Sequence, residues 1–231
     1  MAKPGVQSGA GGLNDQDRAA EVLDLSEDQA LAELQRAAIS AAEIAQLAKS
    51  AAAAKSRKVA MAVVRHTRTP RHVSIPLLRR MFTFDLMQVT LTPAVAADIK
   101  RSAEEQILAR AESLSLGEKI SLAKRGSGRV AAALLQDPER RVIAPALDNT
   151  RLTEALIVQA LMKLRAPAEL FEMVSGHRSW AQRREVQIAV LRSEKTPLKQ
   201  AKEFARNFSA EFLREIVPDG RVGLLQNDLG G

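Results

Sequence analysis

Four times in this chain a residue with a short hydrogen-bonding side chain stands directly before a proline: Thr69-Pro70, Thr92-Pro93, Asp137-Pro138 and Thr196-Pro197. A Thr or Asp oxygen can accept from the unpaired N–H groups at the start of a helix. Proline at the next position gives up an N–H that had no partner there anyway. Each pair therefore reads as a helix start, and between the pairs apolar residues recur at helical spacing instead of alternating. Ser26 with Gln29 and Ser115 with Glu118 have the spacing of capping boxes, and Thr153 or Asn149 can begin the helix carrying Leu156, Ile157, Ala160 and Leu161. The punctuation predicts helices of roughly 8–15 residues joined by short turns. Helices that short are marginal alone and must bury an apolar stripe on their neighbours.

Composition agrees with an all-α fold. Aromatic residues are 3% of the chain and Tyr is absent, so strand formers are scarce, while Ala, Leu, Glu, Gln, Lys and Arg dominate. Residues 1–25 hold Gly5, Gly9, Gly11 and Gly12 with few large apolar groups and read as a flexible, acidic, Gly-rich tail. Residues 26–57 read as Ala-rich N-terminal capping helices, in which Leu31, Leu34, Ala38, Ala41 and Ala45 follow helical spacing. Residues 58–217 form the body, and 218–231 a flexible C-terminal tail. With no cysteine, no signal-like N-terminus and no long apolar run, the expectation is a cytoplasmic protein without disulfides or membrane spans.

The body repeats itself. Shifting the chain by 127 positions lays KVAMAVVRHTRTPRH on EVQIAVLRSEKTPLK. Between residues 59 and 89 eight positions are identical: Val59 with Val186, Ala62 with Ala189, Val63 with Val190, Arg65 with Arg192, Thr69 with Thr196, Pro70 with Pro197, Arg79 with Arg206, and Leu86 with Leu213. Ordinary composition yields about two by chance. The shift corresponds to three units of about 42 residues, within the period of HEAT and armadillo repeats. Over roughly residues 58–217 the helix, short turn, Thr-Pro, helix pattern resembles that HEAT-like α-solenoid class. It is also similar to bacterial leucine-rich-variant proteins with short, proline-started helices. The resemblance implies stacked antiparallel helix pairs with a curved binding surface, and it brings no catalytic residues with it. Whether the chain makes one array or two hinged near residues 113–118 stays open.

Candidate chemistry is thin. His66, His72 and His177 have no metal-ligand spacing, and no GxSxG or paired general acid and base is present, so no metal, cofactor or enzymatic activity is expected. The run Lys124-Arg125-Gly126-Ser127-Gly128-Arg129 looks like part of a phosphate loop but lacks the GxxxxGK[ST] spacing and a preceding strand. It reads as a helix stop at Gly126 and a new start at Ser127 or Gly128, with a helix-start anion site as the alternative.

Charge carries the functional signal. Residues 1–43 hold eight acids and three bases, whereas residues 44–84 hold nine bases and no acid. A tract containing Arg65, Arg68, Arg71, Arg79 and Arg80 can form one positive face. A second cluster, His177, Arg178, Trp180, Arg183 and Arg184, sets the only Trp among basic side chains, and Trp and Arg are the types most enriched at binding hot spots. The leading expectation is a non-enzymatic scaffold that binds a protein partner. The alternative is a nucleic-acid-binding α-solenoid that uses tract 44–84, although few aromatics stand ready to stack on bases. A third reading is an assembly subunit whose acidic arm pairs with the basic tract of another copy.

Overall fold

The structure, a computed structural model, describes residues 25–218, Arg221, Leu224 and Leu225. The expected tails lie almost entirely outside the described residues. Among these residues the chain is all-helical, with fifteen α-helices and no strand. In order they are α1 (Glu27–Gln35), α2 (Ala41–Leu47), α3 (Ala51–Lys55), α4 (Arg57–Arg65), α5 (Arg71–Arg80), α6 (Thr83–Leu91), α7 (Ala97–Ala109), α8 (Leu116–Arg125), α9 (Gly128–Leu134), α10 (Arg140–Leu147), α11 (Glu154–Leu161), α12 (Ala168–Ser175), α13 (Arg184–Leu191), α14 (Leu198–Ala205) and α15 (Ala210–Ile216). The chain divides into two compact units, one of residues up to Asp85 with Thr92–Ser102, the other of Leu86–Leu91 with residues from Ala103 onward. The division does not fall at 113–118.

Hydroxyl caps set most of the helix starts. Ser26, Ser40 and Ser115 close full capping boxes with Gln29, Glu43 and Glu118. Ser50, Ser56, Ser127, Thr153 and Ser209 each accept from the backbone N–H three residues on. Each such bond satisfies one of the four donors that a helix start leaves unpaired. The Ala-rich N-terminal region thus contains three helices, α1 to α3.

The Thr-Pro pairs mark helix starts for a different reason than expected. At residues 69–70 and 196–197 the proline itself is the extended N-cap of α5 and α14. The threonine faces backwards: the Thr69 hydroxyl donates to the Val63 carbonyl, and the Thr196 hydroxyl donates to the Val190 carbonyl at 2.6 Å. The hydroxyl therefore ties the turn back onto the end of the preceding helix, whose last carbonyls lack intrahelical donors. After Thr92-Pro93 the next helix begins only at Ala97, past a further turn, whereas after Asp137-Pro138 it begins at Arg140 with Glu139 as its N-cap. Asp137 instead accepts from the Glu139 N–H and from Lys119.

The shift of 127 residues extends to the helix register. Helices α4, α5 and α6 start at residues 57, 71 and 83, and α13, α14 and α15 start at 184, 198 and 210. The same positions are buried in both segments: Val59 and Val186, Val63 and Val190, Val64 and Leu191, Leu77 and Phe204, Leu78 and Ala205, Leu86 and Leu213, Val89 and Ile216. Packing stays local in sequence. In the first unit α1 packs on α3 and α4, and α4 on α3 and α5. In the second, α8 packs on α9 and α10, α9 on α10 and α11, α10 on α12, α11 on α13, and α13 on α12 and α14.

Side-chain donors tie each turn to an earlier one. Arg68 reaches the carbonyls of Ala37 and Ile39, Asn149 those of Ala123 and Gly126, Trp180 that of Leu147, Lys195 those of Leu164 and Ala166, and Arg221 those of Ser193 and Thr196. These carbonyls lie in the last turn of a helix or in the link to the next one, outside the reach of intrahelical donors.

Two outcomes follow from these bonds. Thr196 is 2% exposed, so Thr196→Val removes a buried hydrogen bond to the Val190 carbonyl, which keeps the Ser193 backbone N–H, and costs about 1 kcal/mol in urea unfolding, with a smaller cost for half-buried Thr69→Val. The Glu43 carboxyl is held down at about 2 by the Ser40 backbone N–H, the Ser40 hydroxyl and Arg36, in that order. Because this lies below the ordinary value of about 4.3 for an unfolded chain, its stabilisation of α2 is complete above that value and is lost as pH falls through about 2. An NMR titration of the Glu43 carboxyl carbon checks this directly.

Candidate partner-binding surfaces

The nine bases of residues 44–84 do not make one uniform face. Helix α4 starts and α5 ends beside a common cleft lined by both Arg57 and Arg80. Arg65, Arg68 and Arg71 lie at or near the turn joining the two helices, about 12 Å further along α4. Many of the charges are already engaged. Arg57 pairs with Asp85, Lys58 with Glu27, and Arg71 with Asp98, while Arg68 donates to two carbonyls. Arg65, Arg79 and Arg80 are exposed, the last two in the final turn of α5, where cations complement the helix dipole.

The cleft in the first unit encloses about 140 Å³. Its apolar lining includes Ala53, Ala60, Leu77 and Met81, and Lys55 and Arg80 bring positive charge to it. Phe82, in the short link between α5 and α6, forms one wall and is 64% exposed. The Arg57 guanidinium lies 4.9 Å over the Phe82 ring centroid. Its edge is fixed on Asp85, with Nε donating to Oδ2 at 2.5 Å and Nη2 to Oδ1 at 2.7 Å. This two-point carboxylate contact raises the Arg57 pKa above its ordinary value. Asp85 is only 4% exposed and sits in the first turn of α6, where the helix dipole also favours its charge. The result is an aromatic, apolar recess with a basic border, suited to an apolar side chain that has an acidic neighbour.

The second predicted cluster comes apart on inspection. His177 and Trp180 turn toward α10: the Trp180 indole N–H donates to the Leu147 carbonyl at 2.8 Å, and His177 Nε2 lies 3.3 Å from Asp148 Oδ1. His177 Nδ1 accepts from the Ser179 and Trp180 backbone N–H groups, which places the ring proton on Nε2. Both residues therefore tie the α12–α13 connection to α10. Arg178, Arg183 and Arg184 are exposed. Arg183 is the N-cap of α13, and Arg184 leaves the cluster to lie over Phe208 and Phe212.

The glycine-containing run behaves as a helix junction. Gly126 is the C-cap of α8, and Ser127 is the N-cap of α9. The Ser127 hydroxyl also donates to Glu104, whose other oxygen pairs with Arg129 at 3.2 Å. A carboxylate thus stands where an incoming anion would need to approach. Close packing accounts for Gly128: a Cβ there would lie 2.2 Å from the Arg151 carbonyl oxygen. Asp85, Phe208 and Phe212 were not among the predicted site residues; the 127-residue alignment pairs Arg57 with Arg184, but only the fold brings these three side chains to them.

The chain matches no protein-family model, no curated protein and no solved structure. What these surfaces bind is therefore argued from their geometry. For the glycine junction, Gly128→Ala costs at least about 2 kcal/mol in chemical unfolding, because the clash is with backbone and cannot be relieved by a rotamer change.

Proposed function

We propose that this chain is a non-enzymatic helical-repeat scaffold, a HEAT-like α-solenoid that binds a protein segment carrying an apolar residue beside an acidic one. The exposed Phe82 wall of the first unit's cleft carries the reading: a large aromatic face left in water next to an apolar floor and positive charge is the anatomy of a protein-recognition pocket. The solenoid part is supported by near-neighbour helix packing, by turn-to-turn side-chain ties, and by three helices that recur in the same register. Repeat arrays are quasi-one-dimensional in this way, each unit touching mainly its neighbours.

A nucleic-acid-binding solenoid has less support. Arg57, Lys58 and Arg71 already have carboxylate partners, and the remaining bases of the tract lie toward both ends of the α4–α5 pair. Uniform attraction to a phosphate backbone gains most from unpaired cations in one row. Among the described residues no helix is long and apolar enough to cross a membrane.

Selection of random peptides on the full chain tests the proposal. Recovered peptides should place Asp or Glu within a few residues of Leu or Phe, and Phe82→Ser should weaken them about tenfold or more. Failure to recover any such peptide, together with submicromolar duplex-DNA binding that falls steeply with salt and is lost on changing Arg65, Arg79 and Arg80 to Ser, would replace this reading with the nucleic-acid one.

A further inference from the structure

Arg57 and Arg184 occupy the same place in the two matched segments. Each is the first residue of its helix, α4 or α13, and the two stand at equivalent positions of the 127-residue shift. Each lays its guanidinium on an aromatic ring following the next helix: Arg57 on Phe82, Arg184 on Phe208, both at 4.9 Å to the ring centroid. Arg184 gains a second ring, Phe212 at 5.5 Å, which stacks on Phe208 at 5.4 Å between centroids.

The difference lies at the guanidinium edge. In the first unit the edge is filled by the two oxygens of Asp85. The position equivalent to Asp85 in the second segment is Phe212. Among the described residues no carboxylate lies within ion-pair distance of Arg184. Replacing Asp by Phe has therefore removed the internal acid and added a second face to hold the cation. An arginine oriented on aromatic faces loses less rotamer freedom on binding, and its fork of donors stays directed at a planar pair of oxygens.

We infer that Arg184, held on Phe208 and Phe212, is a second docking point, one that takes an Asp or Glu side chain from a partner protein. The ligand class is read from the chain itself, because the equivalent stacked guanidinium at Arg57 grips a carboxylate at two points. The neighbourhood favours a single carboxylate over a polyanion. Glu185 follows Arg184 directly, and Glu211 precedes Phe212; both are exposed and repel a run of phosphates, whereas one acidic side chain between apolar neighbours meets the two Phe rings and the cation together. This site lies within the second unit and does not depend on the Phe82 cleft.

The test follows the Arg184 Nε–Hε resonance in the full ¹⁵N-labelled chain during titration with the probe peptide acetyl-Leu-Glu-Glu-Leu-amide. Parallel titrations use acetyl-Leu-Gln-Gln-Leu-amide and inorganic phosphate. A saturable shift with the Glu peptide is expected, about tenfold weaker or more with the Gln peptide. Phe212→Asp restores the arrangement of the first unit and fills the site from within. It should bind the Glu peptide about tenfold less tightly than Phe212→Asn, which has the same size without the charge. If either Phe212 variant loses its folded amide spectrum, Arg184→Gln read at the Phe208 and Phe212 backbone amides gives the same comparison. Equal binding by the Asp and Asn variants overturns the inference. So does a stronger response to phosphate, a parallel shift of every exposed arginine, or a shift that grows with protein concentration alone and so reports a second copy as the occupant.

Discussion

Short helices have too many ends, and this chain is organised around closing them. A helix of eight residues leaves four donors and four acceptors without intrahelical partners, nearly as many groups as it satisfies. The donors are met locally, by a Ser or Thr placed one residue before the helix in eight of the described cases. The acceptors are met over longer range, by Arg68, Asn149, Trp180, Lys195 and Arg221, each reaching the carbonyls of an earlier turn. These bonds join turns while the apolar stripes between them join helices, so that end closure and side burial reinforce the same neighbour pairs. Thr69 and Thr196, expected as N-caps, serve that arrangement from within the turn by donating back to the end of the preceding helix.

The proposed binding sites stand where that scheme is modified. At the start of α4 the stacked arginine is neutralised by a buried aspartate, and the exposed aromatic beside it opens a recess with an apolar floor. At the start of α13 the aspartate is replaced by phenylalanine, which turns an internal ion pair into an arginine presented to solvent on two rings. On the proposed reading the two segments hold recognition elements of different character. The first offers a cavity with its guanidinium already satisfied, and the second offers the guanidinium itself. The helix starts and buried residues around both are matched, and the contrast rests on three aligned pairs of side chains, Asp85 with Phe212, Met81 with Phe208 and Phe82 with Ser209.

Much of this was legible in the residues. The capping boxes at Ser26 and Ser115, the helix stop at Gly126, the start after Thr153 and the all-helical class follow from local hydrogen-bond chemistry and apolar spacing. Pro76 and Pro145 mark the limit of local reasoning, since both lie inside helices, α5 and α10, where proline normally starts or ends one. Buried apolar residues flank each proline, Val73 and Leu77 in α5 and Val142 and Ala146 in α10, so packing holds these helices although neither N-cap makes a side-chain hydrogen bond. Trp180 was singled out for its composition as a binding residue, yet its N–H is taken by the Leu147 carbonyl.

By itself the sequence determined the all-helical class, the helix starts that its capping boxes mark, and a pattern recurring after 127 positions, because capping and helical periodicity act between residues near one another along the chain. Which charges are spent internally was decided only in three dimensions. Lys58 meets Glu27, Arg71 meets Asp98, and Arg57 meets Asp85 across 27 to 31 residues of sequence, so a tract that reads as one positive face is partly neutralised. Coulomb energy depends on separation in space and on local burial, and neither is written in the order of residues.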